Sequence, residues 1–112
     1  MNFDNNRPIY LQIADAISER ILSGELGGDD RIPSVREYGA SLGVNPNTMM
    51  RTYEKLTADG IIFNKRGIGY FVSPDAREKV LQAQRKEFIE VALPQIRRRM
   101  ELLGLSPSEL LQ

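Results

Sequence analysis

The sequence predicts a mainly α protein with one small β-hairpin. Isoleucine recurs every fourth residue at Ile9, Ile13, Ile17 and Ile21, the spacing of one helix face. Residues 34 to 60 carry two closely spaced sets of helix start and stop signals. Residues 61 to 73 change character: Ile61-Ile62-Phe63 and Tyr70-Phe71-Val72 are β-prone runs flanking a turn with two glycines.

The first helix opens at Pro8, where a missing N–H costs nothing, and Gly24 closes it. A polar turn, Gly27-Gly28-Asp29-Asp30, leads through Arg31-Ile32-Pro33 to Ser34-Val35-Arg36-Glu37. That run is a capping box: Ser34 caps the helix and Glu37 reaches back. Gly43 ends this second helix after Leu42, and only Val44 intervenes before Asn45-Pro46, a cap followed by proline at the first helical position. The third helix runs to about Asp59, with Met49, Thr52 or Tyr53, and Leu56 on one face and Gly60 closing it. After the hairpin the chain reads helical from Pro74, with Phe88, Ala92, Ile96, Met100 and Leu103 at helical spacing up to Gly104. A last short helix starts at Ser106-Pro107.

Composition removes several classes of function. The chain has 112 residues, 41% of them apolar, enough for one domain and an appendage. It holds no cysteine and no histidine, so disulfides, thiol nucleophiles, the commonest zinc ligands and the usual general base are gone. No nucleophile–base pair or metal cluster is visible, and we expect neither an enzyme, nor a cofactor, nor a metal site. The polar opening residues do not form a signal peptide, no segment approaches the ~18 apolar residues of a membrane span, and a chain without disulfide staples suits the cytoplasm. Fifteen basic and fifteen acidic side chains cancel, so any affinity for nucleic acid rests on where the charges lie.

Two short helices joined by a tight Gly43-Val44 turn form the physical core of a helix-turn-helix, and a following hairpin makes it winged. Gly39 supplies the small residue that a close helix crossing needs, and Leu42, Val44 and Met49 fill the shared core. The outward face of the third helix then carries Asn47, Thr48, Met50, Arg51 and Lys55, side chains suited to base edges and phosphates. Lys65 and Arg66 stand at the hairpin tip beside Gly67 and Gly69, whose freedom lets backbone approach a sugar-phosphate strand. Between residues 45 and 73, Arg51, Lys55, Lys65 and Arg66 face Glu54 and Asp59, an excess of two positive charges. Each feature also has a plainer meaning, since caps, glycine turns and solvated basic loops occur in every fold; it is their order that points to duplex DNA. The alternative from a different class is a winged-helix protein-docking module, which would show an apolar patch where DNA binding needs cations.

At this point the chain resembles a known family. Pro33-Ser34-Val35-Arg36-Glu37, Leu42-Gly43-Val44-Asn45-Pro46-Asn47-Thr48, Tyr53-Glu54-Lys55-Leu56, Asp59-Gly60-Ile61-Ile62 and Arg66-Gly67-Ile68-Gly69-Tyr70-Phe71-Val72 together resemble the GntR family of bacterial regulators. Pro8-Ile9-Tyr10-Leu11-Gln12-Ile13 and the Asn-Pro-Asn-Thr run look like its YtrA-type subfamily. The resemblance implies a winged helix-turn-helix that binds an operator as a dimer and usually represses. It implies a backbone contact for Arg36, major-groove reading by Asn45, Asn47, Thr48 and Arg51, and minor-groove entry by Lys65, Arg66 and Gly67. Met50 stands where some branches carry a base-reading arginine, and Tyr38-Gly39 stands where Leu-Ala is commoner.

These readings divide the chain into a DNA-binding domain over 1–75 and a helical dimerisation segment over 76–112. Ala76 to Gly104 would span about 43 Å as one helix, longer than a small winged helix can cover. A second copy is therefore the expected cover for Phe88, Ala92, Ile96, Met100 and Leu103. The alternative is that the tail folds back on Ile9, Ile13 and Ile17, and Pro94 is expected to kink it. The expected partners are operator DNA and a second copy, with an effector ligand left open.

Overall fold

The computed structural model describes residues 6–110, so residues 1–5 and 111–112 of the expected spans, and most of the opening stretch weighed as a signal peptide, lie outside it. The backbone forms two compact units, one up to Val80 and one from Leu81.

The first unit runs α1 (Ile9–Leu22), β1 (Arg31–Ile32), α2 (Val35–Leu42), α3 (Pro46–Ala58), β2 (Ile62–Lys65) and β3 (Gly69–Val72), and it includes the start of α4 (Ala76–Glu87). Ile13, Ile17 and Ile21 on α1 are buried, as their spacing requires, whereas Ile9 at the helix start is 44% exposed. They pack with Met49, Tyr53 and Leu56 of α3 and with Ile62 and Val72 of the hairpin. Ala76 and Val80 complete this core, so the helix that follows the hairpin begins as part of it.

The local punctuation folds as the sequence predicts. The Ser34 hydroxyl accepts from the Glu37 N–H at 3.1 Å, and the Glu37 carboxylate accepts from the Ser34 N–H at 3.4 Å. Gly43 is left-handed at φ 67°, and the Val44 N–H donates back to the Gly39 carbonyl at 2.8 Å, closing α2 in the manner of a Schellman motif. Asn45 caps α3 by accepting from the Asn47 N–H at 2.8 Å, with Pro46 at the first helical position.

The sheet has three strands in the order β1-β3-β2, all antiparallel, one more than the hairpin predicted from sequence. The added strand, β1, is two residues long, pairing Arg31 with Phe71 and Ile32 with Tyr70. Two residues show no alternation to read, and the pairing exists only because β3 offers its free edge.

In the second unit, α4 gives way to a π-helical turn at Phe88–Ala92, followed by α5 (Leu93–Leu103) and α6 (Pro107–Leu110). The Leu93 N–H donates to the Phe88 carbonyl, five residues back. Pro94 explains the widened turn, because it has no N–H to donate and its ring would crowd the carbonyl four residues earlier. The turn before Pro94 thus contains one inserted residue, which rotates the helix by about 100°. Phe88 therefore does not continue the line of Ile96, Met100 and Leu103 as an unbroken α-helix would place it. Gly104, left-handed at φ 67°, ends α5. No helix among the described residues is long and apolar enough to cross a membrane.

Candidate nucleic-acid interface

The helix-turn-helix is held by one close approach. A Cβ on Gly39 would stand 2.9 Å from the Val44 carbonyl oxygen and 3.2 Å from Met49 Cγ, so glycine lets α2 and the turn meet more closely than a larger residue would. Tyr53 ties the surrounding elements together. Its ring packs edge-on against Tyr70 of β3 at 4.8 Å and against Tyr38 of α2 at 6.4 Å. Its hydroxyl donates to the Pro33 carbonyl, just before the α2 cap. Burial, with the neighbouring tyrosines adding to it, holds the Tyr53 phenol well above the ordinary tyrosine range.

With Met49, Thr52, Tyr53 and Leu56 turned inward, α3 presents Asn47, Met50, Arg51 and Glu54 to solvent, with Thr48 half-buried at the edge. Asn45 is exposed but its side-chain oxygen is engaged as the cap. The Arg51 guanidinium lies 4.3 Å above the ring of Tyr10 on α1. Lys55 is spent on Asp59, one turn on at 2.7 Å, so the positive charge counted there is largely neutralised. Arg36 is exposed in the first turn of α2, where Ser34 and Glu37 fix the helix start.

The wing is a three-residue turn between Lys65 and Gly69. The Ile68 N–H donates to the Lys65 carbonyl at 2.9 Å, and Gly67 takes the φ of 79° that a type II turn needs at its third position. Lys65, Arg66 and Gly67 are exposed, the Lys65 ammonium lying 5.5 Å from the Phe71 ring. A cation the sequence reading left out joins them: Arg31 of β1 donates to the Ile68 carbonyl at 2.9 Å. Only the β1–β3 pairing brings it there. Counted over residues 31 to 73, six basic side chains face three acidic ones.

All eight residues expected to meet DNA therefore lie in the first unit, at the start of α2, on the N-terminal half of α3 and in the wing turn. The five expected to mediate dimerisation lie in the second. Phe88, Ile96 and Leu103 are exposed at 54%, 43% and 62%, while Ala92 and Met100 are half-buried. Ile89, Val91 and Leu102, which the sequence reading passed over, are exposed as well.

Comparison with known proteins matches residues 9–72 to the model of bacterial regulatory proteins, gntR family. The chain is 37% identical over 110 residues to the HTH-type transcriptional regulator YhcF of Bacillus subtilis, covering 98% of this chain and 89% of that protein. It is 35% identical over 80 residues to the HTH-type transcriptional repressor YtrA of the same organism, covering 71% of this chain and 62% of that one. A solved GntR family transcriptional regulator from Listeria monocytogenes superposes with a TM-score of 0.81 at 32% identity, covering 97% of this chain and 94% of the other.

Proposed function

This chain belongs to the gntR family of bacterial regulatory proteins, and we propose that it represses transcription by binding a near-palindromic DNA operator as a symmetric dimer in the cytoplasm. It is a DNA-binding regulator rather than an enzyme, as the names of its relatives and the winged helix-turn-helix support. The observation that carries the proposal is the exposed polar face of α3, which begins at a capped N-terminus and leads through Gly60 into a basic wing.

In this reading the N-terminal half of α3 enters the major groove. Asn47, Thr48 and Arg51 read base edges, while Asn45 both caps the helix and lies at its groove-facing end. The positive end of the α3 dipole favours a phosphate, and Arg36 adds a backbone contact. Lys65, Arg66 and Gly67 reach the minor groove, with Arg31 bracing the turn. We assign DNA binding to residues 1–75 and dimerisation to 76–112, with Ala76 and Val80 also serving the first unit's core. Phe88, Ala92, Ile96, Met100 and Leu103 are the residues a second copy would cover.

Selection of bound sequences from a random duplex pool tests this. The recovered site should have twofold symmetry, with half-sites one helical turn or a multiple apart. Arg51→Ala should weaken that site by about 1–3 kcal/mol and lower the melting temperature by only a few degrees, the loss of one exposed cation–π contact. A pool that yields no preferred sequence would overturn the proposal.

The wing gives a separate expectation. A Cβ at Gly67 would meet nothing within 4 Å, so the cost of Gly67→Val lies in the left-handed backbone and in the approach to DNA. Gly67→Val should lower affinity several-fold for selected and random duplexes alike, whereas Gly67→Asn, which tolerates this φ, should lose less. Equal affinities for all three proteins, measured by fluorescence anisotropy, would show that the wing does not touch the duplex.

A further inference from the structure

We propose that Tyr10 is a positioning residue for base recognition: its ring on α1 is the platform that aims the Arg51 guanidinium from α3. The inference rests on the reading that Arg51 contacts a base edge. Arg51 is exposed, and a long exposed arginine ordinarily loses considerable side-chain entropy when it is fixed on a base. Here its Cζ lies 4.3 Å from the Tyr10 ring centroid, well inside the range of cation–π attraction.

The kind of contact matters as much as its distance. A carboxylate partner would occupy the donor fork, the edge that meets the O6 and N7 of guanine. An aromatic ring holds the guanidinium without offering it a carboxylate's paired acceptor oxygens, so the donor fork stays available to a base. Among the described residues no ion pair involves Arg51. The platform is itself anchored to the recognition helix. The Thr52 hydroxyl, fully buried and next in sequence to Arg51, donates to the Tyr10 backbone carbonyl at 2.9 Å. The first turn of α1 is tied down further where the Gln12 side chain donates to the Arg7 carbonyl at 2.7 Å. Ring and guanidinium thus sit on two elements joined directly beside the contact, the arrangement that pre-orientation before DNA arrives requires.

The test uses the full chain, a duplex selected from a random pool, and the same duplex altered at each base pair in turn. Arg51→Ala should weaken the selected site about 5- to 150-fold and erase preference at one base pair per half-site. Tyr10→Leu should weaken it about three- to tenfold and blunt preference at that same base pair. Binding to random duplex should not change, Tyr10→Phe should restore both properties, and the double variant should bind no more weakly than Arg51→Ala alone. If Arg51→Ala blunts preference and Tyr10→Leu does not, the platform is wrong while the base contact stands. Tighter binding by Tyr10→Leu would make the ring a restraint and overturn the inference. An Arg51→Ala protein with unaltered preference would overturn the base contact and the platform with it. Should Tyr10→Leu fail to fold, the wild-type protein still decides: the Arg51 side-chain protons must be shifted upfield by the ring in the NMR spectrum, and unshifted positions would overturn the inference.

Discussion

A chain carrying both Ile96→Glu and Leu103→Glu should be a folded monomer that binds the selected operator about 10²- to 10⁴-fold more weakly than wild type. Both side chains are exposed in the single chain, at 43% and 62%, so charges there disturb no core within the protomer. They lie seven residues apart on α5, two turns along the same face. An apolar helix face left in water is marginal, and a second copy is the partner of matching chemistry. The loss in affinity follows because, in a dimer, the second half-site is bound at an effective concentration set by the first. Light scattering at micromolar concentration checks the first part and anisotropy the second. Glutamates that leave the dimer intact would mean that this face is not the interface.

The largest effect on stability should come from Tyr53→Ala. Its ring is fully buried, packs against Tyr38 and Tyr70, and its hydroxyl holds the Pro33 carbonyl. Truncating an aromatic side chain at such a site costs about 3–5 kcal/mol, out of the roughly 5–15 kcal/mol that a domain of this kind possesses. The melting temperature followed by circular dichroism should fall by roughly 15–30 °C. Tyr53→Phe keeps the ring contacts and gives up only the hydroxyl bond, about 1–2 kcal/mol. The raised Tyr53 pKa adds a pH signature. An unfolded tyrosine releases its proton near pH 10, before the folded one does, so the unfolded state binds fewer protons above that pH. Stability should therefore be unaffected by this group below about pH 10 and fall above it, and Tyr53→Phe should flatten that alkaline decline. An equal decline in the two proteins would remove Tyr53 from the explanation.

What could be read from sequence was whatever is written locally. Ser34 and Glu37, Gly43, Asn45 with Pro46, and Gly104 each act on backbone groups within four residues, so their effects survive without knowledge of the fold. The spacing of Ile13, Ile17 and Ile21 marked the core for the same reason. The missed features depend on residues far apart in the chain. β1 exists only against β3, and Arg31 reaches the wing only through that pairing. Tyr10 and Arg51 meet because α1 packs on α3, which no periodicity in either helix announces. Ala76 and Val80 look like the start of a free tail yet close the first core. Two more of the observed features do have local signals. Asp59 stands four residues after Lys55, the spacing of a helical ion pair. Pro94 within an apolar stretch warned that spacing by fours could not continue through Phe88–Ala92.

The central claim, that α2, α3 and the wing form a surface for duplex DNA, is tested most directly by one titration. Fluorescence anisotropy of a labelled random duplex with the full-length chain, repeated over a range of salt concentrations, should show binding at low salt that weakens steeply. The logarithm of the affinity should fall by about 0.9 for each phosphate contacted per tenfold rise in salt. A variant with Arg36, Lys65 and Arg66 all changed to alanine should lose close to three such contacts from the slope. Binding that is absent at low salt, or a slope that is flat and indifferent to those three substitutions, would contradict the claim.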